Sequence, residues 1–538
     1  MVKKSNFLIA GAALIVAGSI TTYLYFRSVT AKVSSPLKTA QVVPESAIMA
    51  TFFHPNQKAI TKLQQFGTPE AKELISRSYA EFQQENLAET NIDWEKDIKP
   101  WVGGIMLAFV PAEEGQGTDP VNILMVVGIK NKFQALRFAT KLQGEDESQV
   151  IKREYQGVTI REVTDETGKT FNLAILGDYL AIAPMAGAVE AAIDTFRGES
   201  SLAMRENTAK SLQESAGVEN AIATVFIPNY GQFVREFADE LPENQKLSAA
   251  SLEQFEAIDS MVMGIGVDDG GVRLRALTKF VSPLSPEQTK PVSGKILQRF
   301  PAETMMLMSG MGISQAWAEF TSQAENNEDL QDVVEEVRSL FVDFGLDVDR
   351  EVFGWMDGEF ALGLIASNQG VLATTGFGGA MVFETSDRST AEKLIEKLNL
   401  MATENAGLAL REIQVGRQSV TQWQVAGIGA FLGYGWLDDN SLFVVLGEPL
   451  MEGIVNMSGD RLIGSEGFEQ ITGTLPESNQ GYFYLDMERT MVWVNRYPFA
   501  NVVIPSDLKA ILNSIRGIGV TSSWSDDLTN EMEMLVAF

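Results

Sequence analysis

The side chains best suited to chemistry are two runs of acidic residues at alternating positions. This spacing resembles the start of a calcium-binding loop, in which carboxylate oxygens surround the ion. Such a loop has glycine at its sixth position for a sharp turn, but Val352 and Ile98 stand there. The sequence therefore favours a solvated acidic turn over a weak cation site and predicts no cofactor. The weak metal-site candidates are Asp347, Asp349 and Glu351 in one run and Asp93, Glu95 and Asp97 in the other.

Composition removes most other catalytic chemistries. The chain has no cysteine and one histidine, His54, which excludes thiolate catalysis, disulfides and multi-histidine metal sites. It contains neither the Gly-x-Ser-x-Gly elbow nor the Walker loop. His54 could act alone as a general base, but a loop histidine before Pro55 is expected to be solvated. We predict no catalytic residue.

Two glycine groupings resemble nucleotide-binding loops incompletely. The run Ser309–Ser314 lies between an expected strand and an expected helix, where backbone amides could hold a phosphate. The glycines at 427, 429, 433 and 435 stand among strand-like residues with no helix after them, unlike a dinucleotide fingerprint. Turn geometry is the favoured interpretation of the first grouping, and the second is not expected to bind a nucleotide.

The charge balance disfavours polyanionic partners. Forty-two Lys and Arg against 71 Asp and Glu give a formal net charge of −29. Repulsion at this charge argues against nucleic acid and against an anionic membrane surface as partners of the body. High solubility is its simplest consequence, and we predict no nucleic acid partner.

The sequence pattern of the elements that must position these residues is repeated along the chain. Pro44 and Pro301 each precede an apolar run, and Trp101 and Trp355 each precede a glycine and a second apolar run. One helical face recurs in both halves as well. This internal duplication predicts two copies of one domain. The helical face consists of Ala135, Phe138, Ala139 and Leu142 in the first half and Ala391, Leu394, Ile395 and Leu398 in the second.

The repeat sets the predicted domain boundaries. Residues 41–280 form the first repeat domain and residues 297–538 the second, each large enough to bury a core. The intervening residues 281–296 are rich in proline and serine and are predicted to form a linker.

The local periodicities predict the fold class. Expected hairpins at residues 172–182 and 436–445, separated by amphipathic helices, favour largely antiparallel sheets packed by helices. In the closing strand Met532, Met534, Val536 and Phe538 are predicted to share one face, opposite a wet face. The predicted fold is α+β, in two tandem copies preceded by a single transmembrane helix.

An uncharged apolar stretch at residues 7–26 has the length of a membrane-spanning helix. It is longer than the apolar region of most signal peptides, so an uncleaved signal anchor is favoured over a cleaved signal. Residues 1–6 would be a cytoplasmic stub and residues 27–40 a tether. We expect a single-pass protein of the plasma or thylakoid membrane, with its body in the periplasm or lumen.

Three parts of the chain carry a family resemblance, namely Val43–Ala47, Phe66–Glu70 and Asn91–Asp97 with Pro100–Gly104. They resemble a cyanobacterial, membrane-anchored family known only as a domain of unknown function. The resemblance extends from about Gln41 to the end of the chain and implies an organism with thylakoids and a periplasm. It assigns no active-site residue.

Three function classes follow. A membrane-tethered binding or assembly protein without catalytic activity, with a protein partner in a membrane complex, fits the expected anchor and the missing catalytic side chains. A carrier of an apolar ligand, such as a lipid or pigment, is the alternative that 21 Met and 30 Phe favour. A carboxylate-based hydrolase would need two acids a few ångströms apart in one cleft.

Overall fold

A computed structural model describes most of the chain. The predicted stub, the predicted transmembrane segment 7–26 and the first part of the predicted tether lie outside the described residues, as do Asp93 and Glu95. The described residues are 35–74, 76–77, 96–97, 99–112, 121–135, 137, 150–164, 170–205, 208–238, 252, 255–325, 328–342, 344–497 and 504–538.

Twenty strands run through the described residues, and every pair with a defined register is antiparallel. Ten precede Pro283: β1 Met49–Phe53, β2 Val102–Pro111, β3 Val121–Ile129, β4 Val150–Tyr155, β5 Val158–Thr164, β6 Thr170–Leu176, β7 Tyr179–Ala183, β8 Ala221–Ile227, β9 Ile258–Val267 and β10 Gly271–Phe280. Ten follow it: β11 Thr304–Met311, β12 Glu359–Ala366, β13 Phe377–Glu384, β14 Ala409–Val415, β15 Gln418–Val425, β16 Gly429–Trp436, β17 Ser441–Leu446, β18 Tyr482–Asp486, β19 Gly517–Trp524 and β20 Thr529–Ala537.

The helices of the described residues are short to medium in length. They are α1 Pro36–Thr39, α2 Gln57–Leu63, α3 Ala186–Arg197, α4 Thr208–Glu214, α5 Tyr230–Ala238, α6 Pro286–Thr289, α7 Ile313–Ala324, α8 Glu328–Val342, α9 Arg388–Glu404, α10 Glu448–Asn456, α11 Glu466–Thr472, α12 Met487–Arg496 and α13 Ser506–Leu512. A π-helical turn spans Val348–Val352, and 3₁₀ turns include Ala40–Val42 and Lys295–Arg299.

Two compact units contain these elements. The first unit ends at Pro283 and the second begins at Leu284, except that Leu528–Glu531 of the closing strand belongs to the first unit. The strand order of the first unit is β4-β5-β6-β7-β3-β2-β1-β8-β9-β10. The second unit repeats it strand for strand, as β14-β15-β16-β17-β13-β12-β11-β18-β19-β20. The duplication is therefore present in the topology as well as in the sequence.

The fold-class prediction was wrong about the sheets, and the described structure does not support its transmembrane helix. The 20 strands form one large antiparallel sheet, not a separate sheet in each copy. The reason is that Leu528–Glu531 belongs to the first unit, where the Phe280 amide donates to the Leu528 carbonyl at 2.8 Å. Periodicity identifies a strand but not its distant partner, and an unpaired strand edge readily accepts another strand. Within the described residues no helix is long and apolar enough to cross a membrane, so the predicted transmembrane helix is not supported.

The described part of the predicted tether is packed against the first unit. Residues 36–39 form α1, which the Ser35 side chain caps, and Thr39 and Ala40 have no exposed surface. Residues 284–296 of the predicted linker are likewise part of the second unit. The Val292 amide donates to the Asn479 carbonyl at 2.9 Å, and Ile296 is buried in the core. Neither segment is a free spacer where it is described.

Both predicted hairpins are confirmed, whereas the closing strand buries the face opposite to the one predicted. Gly177 and Asp178 form the two-residue turn between β6 and β7, and Gly177 has φ = +65°, a value that glycine adopts without strain. β16 and β17 form the second hairpin. In β20 the buried side chains are Glu533, Leu535 and Ala537, the set opposite Met532.

Matching core positions of the two units carry compensating side-chain sizes. The Leu202 amide bonds to the Val43 carbonyl, and the Leu462 amide bonds to the Phe300 carbonyl, so Val43 and Phe300 are equivalent. Strand register pairs Ala108 with Ala50 in the first unit and Gly363 with Leu307 in the second. A Cβ on Gly363 would lie 2.6 Å from Phe300 Cε1. The larger ring of the second unit therefore requires glycine opposite it.

We expect Gly363→Ala to lower the free energy of unfolding by about 1–3 kcal/mol, because a buried ring must move. Phe300→Val should cost about 2–4 kcal/mol through the cavity it leaves. The double variant carries the valine and alanine of the first unit. Its loss of unfolding free energy should be at least about 1 kcal/mol smaller than the summed losses of the two single variants. Denaturant unfolding measures all three.

The reciprocal exchange is the matched control. Val43→Phe should be less destabilising when it is combined with Ala108→Gly. Strict additivity in both units would contradict the compensation.

Candidate functional site

The described acidic candidates are held by separate partners. The Asp349 carboxylate accepts from Trp317 Nε1 at 2.7 Å and from Arg338 Nη2 at 2.8 Å. Glu351 forms an ion pair with Lys397 at 2.5 Å, and this hydrogen bond is the main cause that lowers the pKa of Glu351. These contacts fasten the π-helical turn to α7, α8 and α9.

The remaining candidates do not complete a cation site. Asp347 accepts from the Arg350 amide and caps the turn, while its own amide donates to Glu351. The Asp97 carbonyl accepts from Trp101 Nε1 at 2.7 Å. In the part of the chain that the structure describes, no three acidic or histidine side chains converge to hold a metal ion.

His54 lies in the loop after β1, as expected, but its side chain is half-buried and packed rather than simply solvated. Its Nε2 lies 2.8 Å from Thr224 Oγ1, and its ring meets Phe52 edge-on at 4.8 Å. Burial lowers the pKa of His54 to about 4, so the imidazole is neutral at pH 7. Met311 ends the equivalent strand of the second unit.

The first glycine grouping ends in a turn, as predicted, whereas Gly433 and Gly435 of the second lie within β16. Gly312 has φ = +71° and directly precedes α7. Gly427 has φ = +79° and lies between β15 and β16, where no helix follows.

Sequence reasoning missed a groove of about 760 Å³ on the second unit. We call it the α12 groove because one side of α12 forms its main wall. The other lining residues come from α11, from the segment before β19 and from the β12–β13 connection. Its lining includes Glu488, Arg489, Val492, Trp493, Arg496 and Tyr497 of the α12 region, Glu466, Gly467 and Gln470 of α11, Arg516, and Ala366, Ser367, Asn368 and Gly376.

The sheet order brings these distant segments to one edge. β12 and β18 both pair antiparallel with β11, so they run in the same direction and end at the same edge. β13 begins where β12 ends, and β19 begins where β18 ends. Every segment of the groove therefore lies at this edge of the second unit.

Asp486 anchors the groove wall. This residue is 6% exposed, ends β18 and caps α12 by accepting from the Arg489 amide at 2.8 Å. It also pairs with Arg489 Nε at 2.9 Å, so the charge of Arg489 is matched. Burial, reinforced by the charge of Asp486, raises the pKa of Tyr484, whose neutral hydroxyl donates to Asp486 at 3.5 Å.

Two aromatic side chains form a fixed surface in the groove. Trp493 Nε1 donates to the Thr375 carbonyl at 2.8 Å, and its ring meets Phe377 edge-on at 5.3 Å. Tyr497 lies against Gly376, where any Cβ would come within 2.2 Å of the ring. Such rings lose little conformational entropy on binding.

Two cationic side chains of the groove have no carboxylate partner among the residues that the structure describes. Arg496 is exposed, with its guanidinium 5.4 Å from the centre of the Tyr497 ring. Arg516 is also exposed and donates to the Gln470 side-chain oxygen. Glu466 and Glu488 supply negative charge to the same lining. The groove is thus polar, mixed in charge and aromatic.

The first unit has different chemistry at the equivalent place. Asn229 caps α5 through the Gln232 amide, as Asp486 caps α12 through the Arg489 amide. Counting from the caps, Gln232 replaces Arg489 and Glu236 replaces Trp493. Phe233 and Phe237 of α5 instead pack together at 4.9 Å, and Phe237 also meets Phe109 at 5.9 Å.

A sequence signal for the groove existed. Arg489, Trp493 and Arg496 stand at i, i+4 and i+7 of one helix face, and the first copy lacks them. Only the sheet order shows that this face borders a groove.

Comparison with known proteins places the chain in a family. The description "Protein of unknown function (DUF3352)" applies to residues 8–538. The chain belongs to the DUF3352 family. No curated protein matches its sequence. Crystal forms IV, I and III of TP0453 are 10% identical to it, with TM-scores of 0.26, 0.25 and 0.27. They cover 46%, 47% and 46% of this chain and 81%, 82% and 82% of theirs, and TM-scores this low carry no argument.

This DUF3352 chain also has an acidic cleft of about 590 Å³ on its second unit. Asp357, Glu384, Asp438 and Asp439 line it. Burial raises the pKa of Glu384, and the charges of Glu359 and Asp438 raise it further. The folded chain therefore holds a proton on Glu384 more tightly than the unfolded chain, so the contribution of Glu384 to stability falls as pH rises above the ordinary value of 4.5.

We expect Glu384→Gln to raise the thermal unfolding midpoint of this DUF3352 protein by about 1–3 °C at pH 7. Glutamine cannot ionise, so the gain should vanish below about pH 4. Unfolding midpoints between about pH 3.5 and 8 measure it. Asp439→Asn, an exposed acid in the same cleft, is the control and should change the midpoint less. A lower midpoint for Glu384→Gln at pH 7 would contradict the assignment.

Proposed function

We propose that this chain is an extracytoplasmic binding or assembly protein without catalytic activity, and that its α12 groove holds a segment of a protein partner. The observation that carries the proposal is the pair of uncompensated arginines beside two fixed aromatic rings, at an edge where the first unit has packed phenylalanines. A cyanobacterial source, which the sequence resemblance implies, is part of the proposal.

The groove has the composition of an energetic centre for binding. Tryptophan, tyrosine and arginine dominate the few interface residues that carry most binding energy. Trp493 and Tyr497 are already held by Thr375 and Gly376. A partner would therefore bind a preformed surface without ordering these side chains first.

The most buried acid of the groove is engaged in structure. Asp486 caps α12 and pairs with Arg489. Its carboxylate oxygens are thus engaged by the protein itself, which favours recognition over carboxylate-based hydrolysis at this site.

An apolar carrier is the second candidate, and a specific surface favours it. Leu364 and Leu446 face one another across Gly379 on neighbouring strands of the second unit. They are 40% and 41% exposed, and Met308 of the adjacent strand is 44% exposed. A lipid or pigment on this sheet face would cover apolar surface that is now in water.

Affinity capture with a charge-matched pair of variants tests the proposal. We expect full-length protein, purified from its source under mild detergent, to recover one protein partner reproducibly, as judged by mass spectrometry of proteins and lipids. Arg496→Gln combined with Arg516→Gln should reduce that recovery at least tenfold, because the uncompensated cations are removed.

The control variant is Arg411→Gln combined with Arg417→Gln. These exposed arginines lie on the β14–β15 hairpin, so the charge change is the same but the groove is intact, and recovery should be unchanged. Equal recovery by both double variants would refute the groove as the binding site. A stoichiometric lipid or pigment without a protein would favour the carrier.

A further inference from the structure

We infer that the ligand of the α12 groove is a short peptide segment with one or two carboxylates. This inference rests on the proposed function, because it assumes that the groove binds a partner. It adds the chemical class of the bound segment.

The two uncompensated arginines favour a ligand with a planar anionic group. Arg496 and Arg516 line one groove, and neither forms an ion pair with a carboxylate in the described portion of the chain. Although acids outnumber basic residues in this protein by 71 to 42, no described carboxylate lies within ion-pair distance of either guanidinium. A guanidinium matches a carboxylate through two parallel hydrogen bonds.

The acids of the groove limit the charge of the ligand. Glu466 and Glu488 line the same space and would repel a densely charged polyanion, as would the net charge of −29. A ligand that carries one or two carboxylates together with hydrogen-bond donors can pair with both the arginines and the glutamates of the groove. A peptide segment has this combination, because its backbone N–H groups can reach acidic acceptors.

The fixed aromatic surface adds an apolar requirement. Trp493 is held by a hydrogen bond and by the Phe377 ring and lines the groove, so an apolar side chain of the ligand would pack on a fixed ring. A volume of about 760 Å³ lies within the range of small-ligand sites. The groove therefore holds a few residues and not a folded domain.

A paired peptide library tests the ligand class directly. Each pentapeptide with Asp or Glu is matched by the same sequence with Asn or Gln, both capped at their termini, and binding to the full chain is measured by selection and then calorimetry. We expect the selected peptides to be acidic and their amide analogues to bind at least tenfold more weakly. Arg496→Gln or Arg516→Gln should weaken acidic-peptide binding at least tenfold, whereas Arg411→Gln with Arg417→Gln should not.

Inorganic phosphate and phosphatidylglycerol vesicles serve as the other anionic probes. Binding of either probe that depends on Arg496, without acidic-peptide binding, would overturn the peptide assignment in favour of a phosphate or a lipid headgroup. Equal binding of acidic and amide peptides would also overturn it. Because both arginines are exposed, circular dichroism and unfolding midpoints should show that the variants fold normally.

The two proposals fail in distinguishable ways. If capture of a protein partner depends on the groove but no peptide of the library binds, only the carboxylate-bearing ligand class is rejected. Capture that is insensitive to Arg496 and Arg516 would reject the groove itself.

Discussion

Antiparallel pairing of β11 with both β12 and β18 is the constraint on which the second unit depends. The two outer strands come from distant parts of the sequence, yet they must run in the same direction because each opposes β11. Their ends, and the starts of β13 and β19, consequently meet at one edge. Asp486 lies at that edge and fixes α12 by its cap. Without this pairing, Arg489, Trp493 and Arg516 would have no common surface.

The two units show how a duplicated backbone can diverge in its side chains. Strand order is identical, and even the isolated bridges Pro44–Ser201 and Pro301–Arg461 recur. At one core position Val43 and Ala108 became Phe300 and Gly363, or the reverse, with volume roughly conserved. At the edge that bears the α12 groove no such compensation holds, because Gln232 and Glu236 of α5 stand where α12 has Arg489 and Trp493. Backbone hydrogen bonding tolerates this change since it does not depend on side-chain identity.

The sequence predicts what is local and misses what is distant. Glycine turn chemistry and apolar runs place the β6–β7 hairpin, and helical spacing places Ala391 and Leu394 on the buried face of α9. The single 20-stranded sheet depends on where Leu528–Glu531 finds its partner, which no periodicity encodes. The acidic run around Asp349 looks free in sequence, but Arg338 and Lys397 reach it from other helices. Similarly, the spacing of Arg489, Trp493 and Arg496 is visible in sequence, but the groove beside it is not.

Hydrogen exchange on the full chain, with and without the captured partner, tests the central claim that only the second unit carries the binding edge. The account predicts slower exchange in α11, in α12 and in the β12–β13 connection around Gly376, with α4 and α5 of the first unit unchanged. Equal protection of α5, or protection at the acidic turn Val348–Val352 without protection of α12, would contradict it.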